Sequence, residues 1–166
     1  MEVHHLNDDH ADHRPENLAT LCAFCHSVFH LGLAGIQHRG VIAYLPCIPQ
    51  AALNHLARTL FVAMMGDDIE LAERAKIDHD AMLATRSTVD SILGAGMSDP
   101  ARLGALLLTL DERQFEAAHP LFAPDYGLRL LPTPQGYEKQ LKAWCESAYE
   151  AIPPSSWARL ALSYTR

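Results

Sequence analysis

A chain of 166 residues with 49% hydrophobic and 20% charged side chains has the composition of one globular domain, or of a small module attached to a larger one. Its net charge of −7, from 13 Lys+Arg against 20 Asp+Glu with no basic cluster, weighs against DNA processing, because nucleic-acid binding is driven by neutralising phosphates. Apolar runs such as Leu103 to Leu108 are too short to cross a bilayer, and Glu2 with paired histidines after Met1 excludes a secretory signal pattern, so a cytosolic chain without membrane insertion is expected.

Seven of the ten histidines lie between His4 and His38. That break in composition marks residues 1–40 as a His/Cys-rich metal-binding module, punctuated at its end by Gly32, Gly35 and Gly40. His4 and His5 are adjacent, so in a strand or turn they point opposite ways, one toward a metal and the other toward a substrate. Cys22 and Cys25 have the C-x-x-C spacing at which two thiolates bite one zinc ion. His26 and His30, four apart, share a face if helical and can hold a metal between them. His10, His13 and His38 read as unliganded loop histidines.

Residues 41–45 form a β-prone run closed by Pro46. Pro49 suits a first helical turn, and Leu53, Leu56, Leu60, Phe61 and Met64 predict a helix over 50–65. After the Gly66, Asp67, Asp68 break, a second helical stretch is expected to run to about Leu93, carrying Ile69, Ile77, Leu83, Val89 and Ile92. Gly94 stops it, Ser98 or Asp99 caps the next helix, and Pro100 fits that helix's first turn. The Leu-rich helix over 101–110 is expected to be buried. Residues 127–132 read as a short strand ended by Pro132. A last helix is expected over 133–151, with Tyr137, Leu141, Trp144, Ala148 and Ile152 on one face, before Pro153 and Pro154 release a tail carrying Trp157, Leu160 and Tyr164. Cys47 and Cys145, among apolar neighbours, read as buried small hydrophobes. There is no internal repeat.

The order of His4, His5, Asn17, Leu18, Cys22, Cys25 and His26 resembles the HNH family of metal-dependent nucleases, built on a ββα-metal core. The resemblance implies His5 as general base, Asn17 holding the loop that orients it, and His4, His26 and His30 on a catalytic divalent metal. Cys22 and Cys25 would supply half of a structural zinc site. Zinc-ribbon members carry another C-x-x-C upstream of the histidine pair, so the module is expected to be incomplete at its N-terminus or completed by other ligands.

A second resemblance spans nearly the whole chain. Phe29, Leu31 and Gly32 open it, followed by Ile42, Ala43, Tyr44 and Pro46 with Gln50, Leu53 and Asn54. Gly94, Gly96, Met97, Ser98, Asp99 and Pro100 with Leu103 and Gly104 come next, then residues 128–132 leading into a Trp144-bearing helix. In that order they resemble the IcmJ (DotN) family of the coupling complex of type IVB (Dot/Icm) secretion systems. The resemblance implies a non-enzymatic, zinc-containing adaptor at the cytoplasmic face of the inner membrane. There it would bind the C-terminal tail of the coupling ATPase and other secretion-complex subunits, and help assemble the platform that receives effectors. The expected fold is α+β and helix-dominated, with a partial ββα-metal module over 1–40 and a mainly helical adaptor body over 41–166 holding one or two short strands. The alternative is an HNH-type endonuclease, with His5 and Asn17 catalytic and nucleic acid as substrate.

Overall fold

A computed structural model describes residues 1–122, 126–147 and 149–164. The chain opens with a hairpin in which β1 (Glu2–His5) pairs antiparallel with β2 (Leu18–Leu21), from Glu2 opposite Leu21 to His5 opposite Leu18. Two short helices follow, α1 (Ala23–Phe29) and α2 (Leu31–Ile36), separated by His30, whose φ of −129° leaves the helical path. β3 (Gly40–Tyr44) then waits for a distant partner. It pairs antiparallel with β4 (Leu128–Pro132), Gly40 opposite Pro132 and Tyr44 opposite Leu128. Between them run α3 (Gln50–Met64), α4 (Ile69–Ala84), α5 (Arg86–Leu93), α6 (Pro100–Leu107) and α7 (Glu112–Ala118). Helices α8 (Glu138–Cys145) and α9 (Trp157–Tyr164) follow β4. Helix dominates, and the strands among the described residues form two small sheets. The architecture is therefore α+β, as the sequence predicts.

The β3–β4 ribbon organises the core because both of its faces are covered. Successive residues of a strand point to opposite faces. Ile42 and Leu130 accordingly pack with Ala34, Val89 and Leu103 from α2, α5 and α6, while Ala43 and Leu131 pack with Leu53 of α3. All five residues of β4 are buried, Arg129 included. Its side chain donates from Nε to the Ile48 carbonyl at 2.8 Å and from Nη1 to its neighbour Leu128 at 2.7 Å, which keeps a buried cation hydrogen-bonded. On its other sides α3 supplies Ala57 and Phe61 to a cluster with Phe24, Tyr137 and Leu141, and Leu60 and Ala63 to a cluster with Ala75 of α4. Burying each Leu or Phe among them contributes roughly 1.5–3 kcal/mol.

Helices α2 and α6 touch backbone to backbone. A Cβ built on Gly35 would lie 2.1 Å from the Ala101 nitrogen, and one on Gly104 would lie 2.8 Å from the Gly32 nitrogen. Glycine is therefore a steric requirement at 35 and 104, whereas a Cβ on Gly32 meets nothing within 4 Å. This contact fastens the N-terminal segment to the rest of the protein.

The segment between α5 and α6 follows its expected chemistry. Gly94 ends α5 at φ +113°, a backbone that favours glycine, and Asp99 caps α6 by accepting from the Ala101 amide at 2.8 Å. Ser98 does not cap; its amide and hydroxyl donate to Asp90 at 2.8 and 3.1 Å.

Four expectations need correction. The long helix expected to reach Leu93 breaks at Thr85, whose hydroxyl donates to the Met82 carbonyl at 2.7 Å and accepts the Tyr44 amide of β3 at 3.2 Å. That bond turns α5 onto the ribbon. The Leu-rich helix ends at Leu107 and is only partly buried: Leu103 is 3% exposed, but Leu106 is 43% and Leu108 is 89% exposed. The last helix spans only residues 138–145, because Ser147 donates to the Ala143 carbonyl and the Tyr149 amide to the Trp144 carbonyl, closing its end. Ile152 falls beyond it and is half exposed, and Ala148 lies outside the described residues. Cys47 is exposed and Cys145 half-buried, so neither is a core thiol. In the expected tail, residues 157–164 are helical, while the side chain of Tyr164 and residues 165 and 166 lie outside the described residues.

Tyr137 gives this core a pH signature. Burial pushes its phenol up to about 12, and the phenol donates to Ser27 Oγ at 3.0 Å. An acid with a raised folded pKa contributes stability that is complete below its unfolded pKa, near 10, and lost as pH rises toward 12. The wild type is expected to lose about 2 kcal/mol more than Tyr137→Phe across that window. Urea unfolding at pH 9, 10 and 11 checks this, and parallel curves for the two proteins would refute it.

Candidate metal centre

The alternation of β1 sorts its side chains into two sets. Glu2 and His4 share one face, with His4 only 5% exposed; Val3 and His5 take the other. Helix α1 and the residue that ends it then return His26 and His30 toward the His4 face. Rings of His26 and His30 lie 4.7 Å apart, and the His4 ring lies 5.7 and 6.1 Å from them. One nitrogen from each of the three sits within 4.8 Å of the others. It is the one such His/Cys/Asp/Glu group among the described residues.

Neighbouring groups orient these rings. His4 stacks on Phe29 at 4.2 Å, an aromatic wall supplied by the end of α1. His26 Nδ1 contacts Glu2 Oε2 at 2.5 Å, and Arg39 stands 3.7 Å from the other carboxylate oxygen. A carboxylate on one imidazole nitrogen fixes the tautomer and turns the other nitrogen outward, which is how metal-binding histidines are commonly held. Burial, then the neighbouring His26, His4 and His10, pull the His30 pKa down and favour the neutral imidazole that ligates metal. Three imidazoles, each with one unprotonated nitrogen, fit a borderline divalent cation such as zinc, with a fourth position for water or an added ligand.

The cysteines occupy the start of α1. Cys22 is its N-cap, with Sγ accepting from the Cys25 amide at 3.4 Å, and Cys25 Sγ accepts from Asn54 Nδ2 of α3, also at 3.4 Å. Burial first of all raises the Cys25 thiol pKa. Two thiolates leave tetrahedral zinc two donors short, so the pair by itself fits half a site. Sequence reasoning did not point to Asn54 in this setting, nor to Glu2. The period of a strand places Glu2 beside His4, and that was its one legible signal.

Asn17, 7% exposed, holds the loop between β1 and β2. Its Oδ1 accepts the Asn7 amide at 3.0 Å and its Nδ2 donates to the Asp12 carbonyl at 2.8 Å. His5 lies outside the trio, facing His10 and His13 of that loop. Arg14 donates to Asp12 and holds its carboxyl down at about 2, so this carboxylate stays ionised and paired throughout the physiological range.

Fold and site together define a helix-dominated α+β protein whose N-terminal hairpin and first helix converge three histidines into a metal-capable centre. No protein-family model matches the chain. It is similar to the type 4 apparatus protein DotN of Legionella pneumophila (strain Philadelphia 1), with 31% identity over 154 residues, covering 92% of this chain and 70% of that protein. The chain belongs to the DotN (IcmJ) family. Among the described residues no helix is long and apolar enough to cross a membrane.

Proposed function

We propose that the protein is a structural subunit of a type IV secretion apparatus, acting as a zinc-containing adaptor in its coupling complex. The observation that carries this reading is the similarity to a type 4 apparatus protein along 92% of the chain. His4, His26 and His30 would hold one ion, and Cys22 and Cys25 would contribute to another. When bound at the histidines, zinc supplies a cross-link between β1 and α1, regions that otherwise meet through few apolar contacts. In this reading the metal module over residues 1–40 steadies the N-terminal end, and the partner surface runs from its helix α2 onto the helical body over 41–166. The protein sits in the cytoplasm, held at the inner membrane through its partners.

The adaptor part of the reading is supported by an apolar groove of about 580 Å³ between α2, α6 and α7, lined by Phe29, Leu33, Ile36, Leu108 and Phe115. Each of these five side chains is at least 48% exposed. An amphipathic helix docks into such a groove through apolar anchors one turn apart, and the C-terminal tail of the coupling ATPase is the proposed occupant. Calorimetry of the full chain against a synthetic tail peptide is expected to show binding that Ile36→Asp/Leu108→Asp weakens at least tenfold. Equal affinity for both proteins would move the partner surface elsewhere.

One observation favours a second reading, an HNH-type endonuclease: Asn17 ties down the loop beside His5, as that family's motif requires. Against it, Asp8, Asp9 and Asp12 line the loop that a phosphodiester would have to approach. Plasmid incubated with the protein and Mg²⁺, Mn²⁺, Ni²⁺ or Zn²⁺ is expected to remain intact. Cleavage abolished by His5→Ala would put the nuclease first.

A further inference from the structure

The histidines that the trio leaves out are themselves gathered. His5 Nε2 lies 3.4 Å from His13 Nδ1, and the His5 ring lies 4.9 Å from the His10 ring and 5.5 Å from the His13 ring. A hydrogen bond between ring nitrogens would be long at 3.4 Å, since N–H donors usually sit about 2.7–3.2 Å from their acceptors. Two nitrogens bound tetrahedrally to one zinc ion at about 2.0–2.1 Å, however, lie roughly 3.3 Å apart, and their ring centres roughly 5 Å apart. The His5–His13 nitrogens and the His5–His10 rings stand at ligand-to-ligand spacing, while the three nitrogens together do not close as tightly as those of the trio.

The backbone that presents these rings is tied down. Asn17 grips the loop at Asn7 and Asp12, Asn7 Nδ2 donates to Asp12 at 3.0 Å, and Arg14 donates to the same carboxylate at 2.8 and 2.7 Å. Asp9 accepts the Ala11 amide at 2.9 Å, and Asp8 adopts a φ of +57° that turns the chain back over β1. The side chains of Asn7, Asp9, Asp12 and Asn17 are engaged with the loop itself, whereas His10 and His13 are exposed. The loop is thus a small tied frame that presents imidazoles to solvent.

We propose that His5, His10 and His13 form a second metal site beside the trio, with the His10 ring 6.2 Å from His30, open to solvent and completed by water. His5 and His13 are its primary pair, and His10 is the third arm. A ligand set of imidazole and water suits Zn²⁺, Ni²⁺ or Cu²⁺, and it disfavours Mg²⁺ or Ca²⁺, which take oxygen ligands. The site stands apart from the adaptor reading, because none of its ligands belongs to the trio or to the cysteine pair. It also reassigns His10 and His13, which in the sequence read as unliganded.

Equilibrium dialysis of the full chain against Zn²⁺, followed by metal analysis, tests this on three proteins. His10→Ala/His13→Ala changes only exposed side chains and is expected to retain about one ion fewer per chain than the wild type, with an unchanged circular dichroism spectrum. His26→Ala, which strikes the trio, is expected to keep the loop site, and the ¹⁵N ring signals of His5 and His13 in that variant should shift on adding Zn²⁺. Equal zinc content in the wild type and the loop variant would overturn the second site while leaving the trio intact. Unmoved His5 and His13 ring signals in His26→Ala would overturn it as well.

Discussion

Gly35→Ala is expected to lower stability by about 3 kcal/mol, at the upper end of what overpacking costs. The added methyl would meet the backbone nitrogen, Cα and Cβ of Ala101 at 2.1, 2.7 and 2.7 Å, and backbone atoms cannot rotate away as a side-chain tip can. Relief requires α2 and α6 to separate, which also opens the packing of Ala34 against Leu103. Gly32→Ala, one turn earlier, is expected to behave oppositely. Its methyl enters open space, and replacing glycine within a helix reduces the freedom of the unfolded chain, worth about 0.4–1 kcal/mol of added stability. Urea midpoints for the two variants check the contrast. Similar midpoints would mean that the helices are not in backbone contact.

Zinc affinity is expected to fall in two steps of different size. His4→Ala removes the most buried imidazole of the trio and should abolish measurable binding there, leaving two ligands. Glu2→Gln keeps all three ligands and removes the charge that steadies His26, so a loss of about 10–100-fold is expected. Competition against a chromophoric chelator, in a Cys22→Ser/Cys25→Ser/His10→Ala/His13→Ala background that isolates the trio, measures both. A Glu2→Gln variant as weak as His4→Ala would make Glu2 a direct ligand; no change in either would remove the trio as a zinc site.

Local chemistry made much of this legible in the sequence. The Pro100 start, the Gly94 stop and the α3 periodicity each depend on residues within a few positions, and the structure follows them. The alternation of His4 and His5 was equally readable, because a strand admits no other arrangement. What escaped were features set by distant partners. The break at Thr85 depends on an amide 41 positions away, and the role of Glu2 on a ring 24 positions away. Leu108 looks like core in a Leu-rich run, but the helix ends before it and leaves it outside. Cys47, between Pro46 and Ile48, sits in a turn that faces solvent.

The ribbon that joins residues 40–44 to residues 128–132 sets a timetable for synthesis. The hairpin, α1 and all the histidines of both clusters leave the ribosome before β4 has been translated. The contacts of the hairpin are local, so β1 and β2 can pair on the emerging chain, whereas α1 waits for Tyr137 and Leu141 to bury Phe24. β3 has no such independence. Until β4 arrives, Ile42 and Ala43 lie on an open strand edge of the kind that templates aggregation. A nascent chain from which β3 has emerged and β4 has not would therefore hold the paired hairpin beside an unprotected strand. Chaperone crosslinking to stalled nascent chains should concentrate on that strand and disappear once residue 132 has emerged.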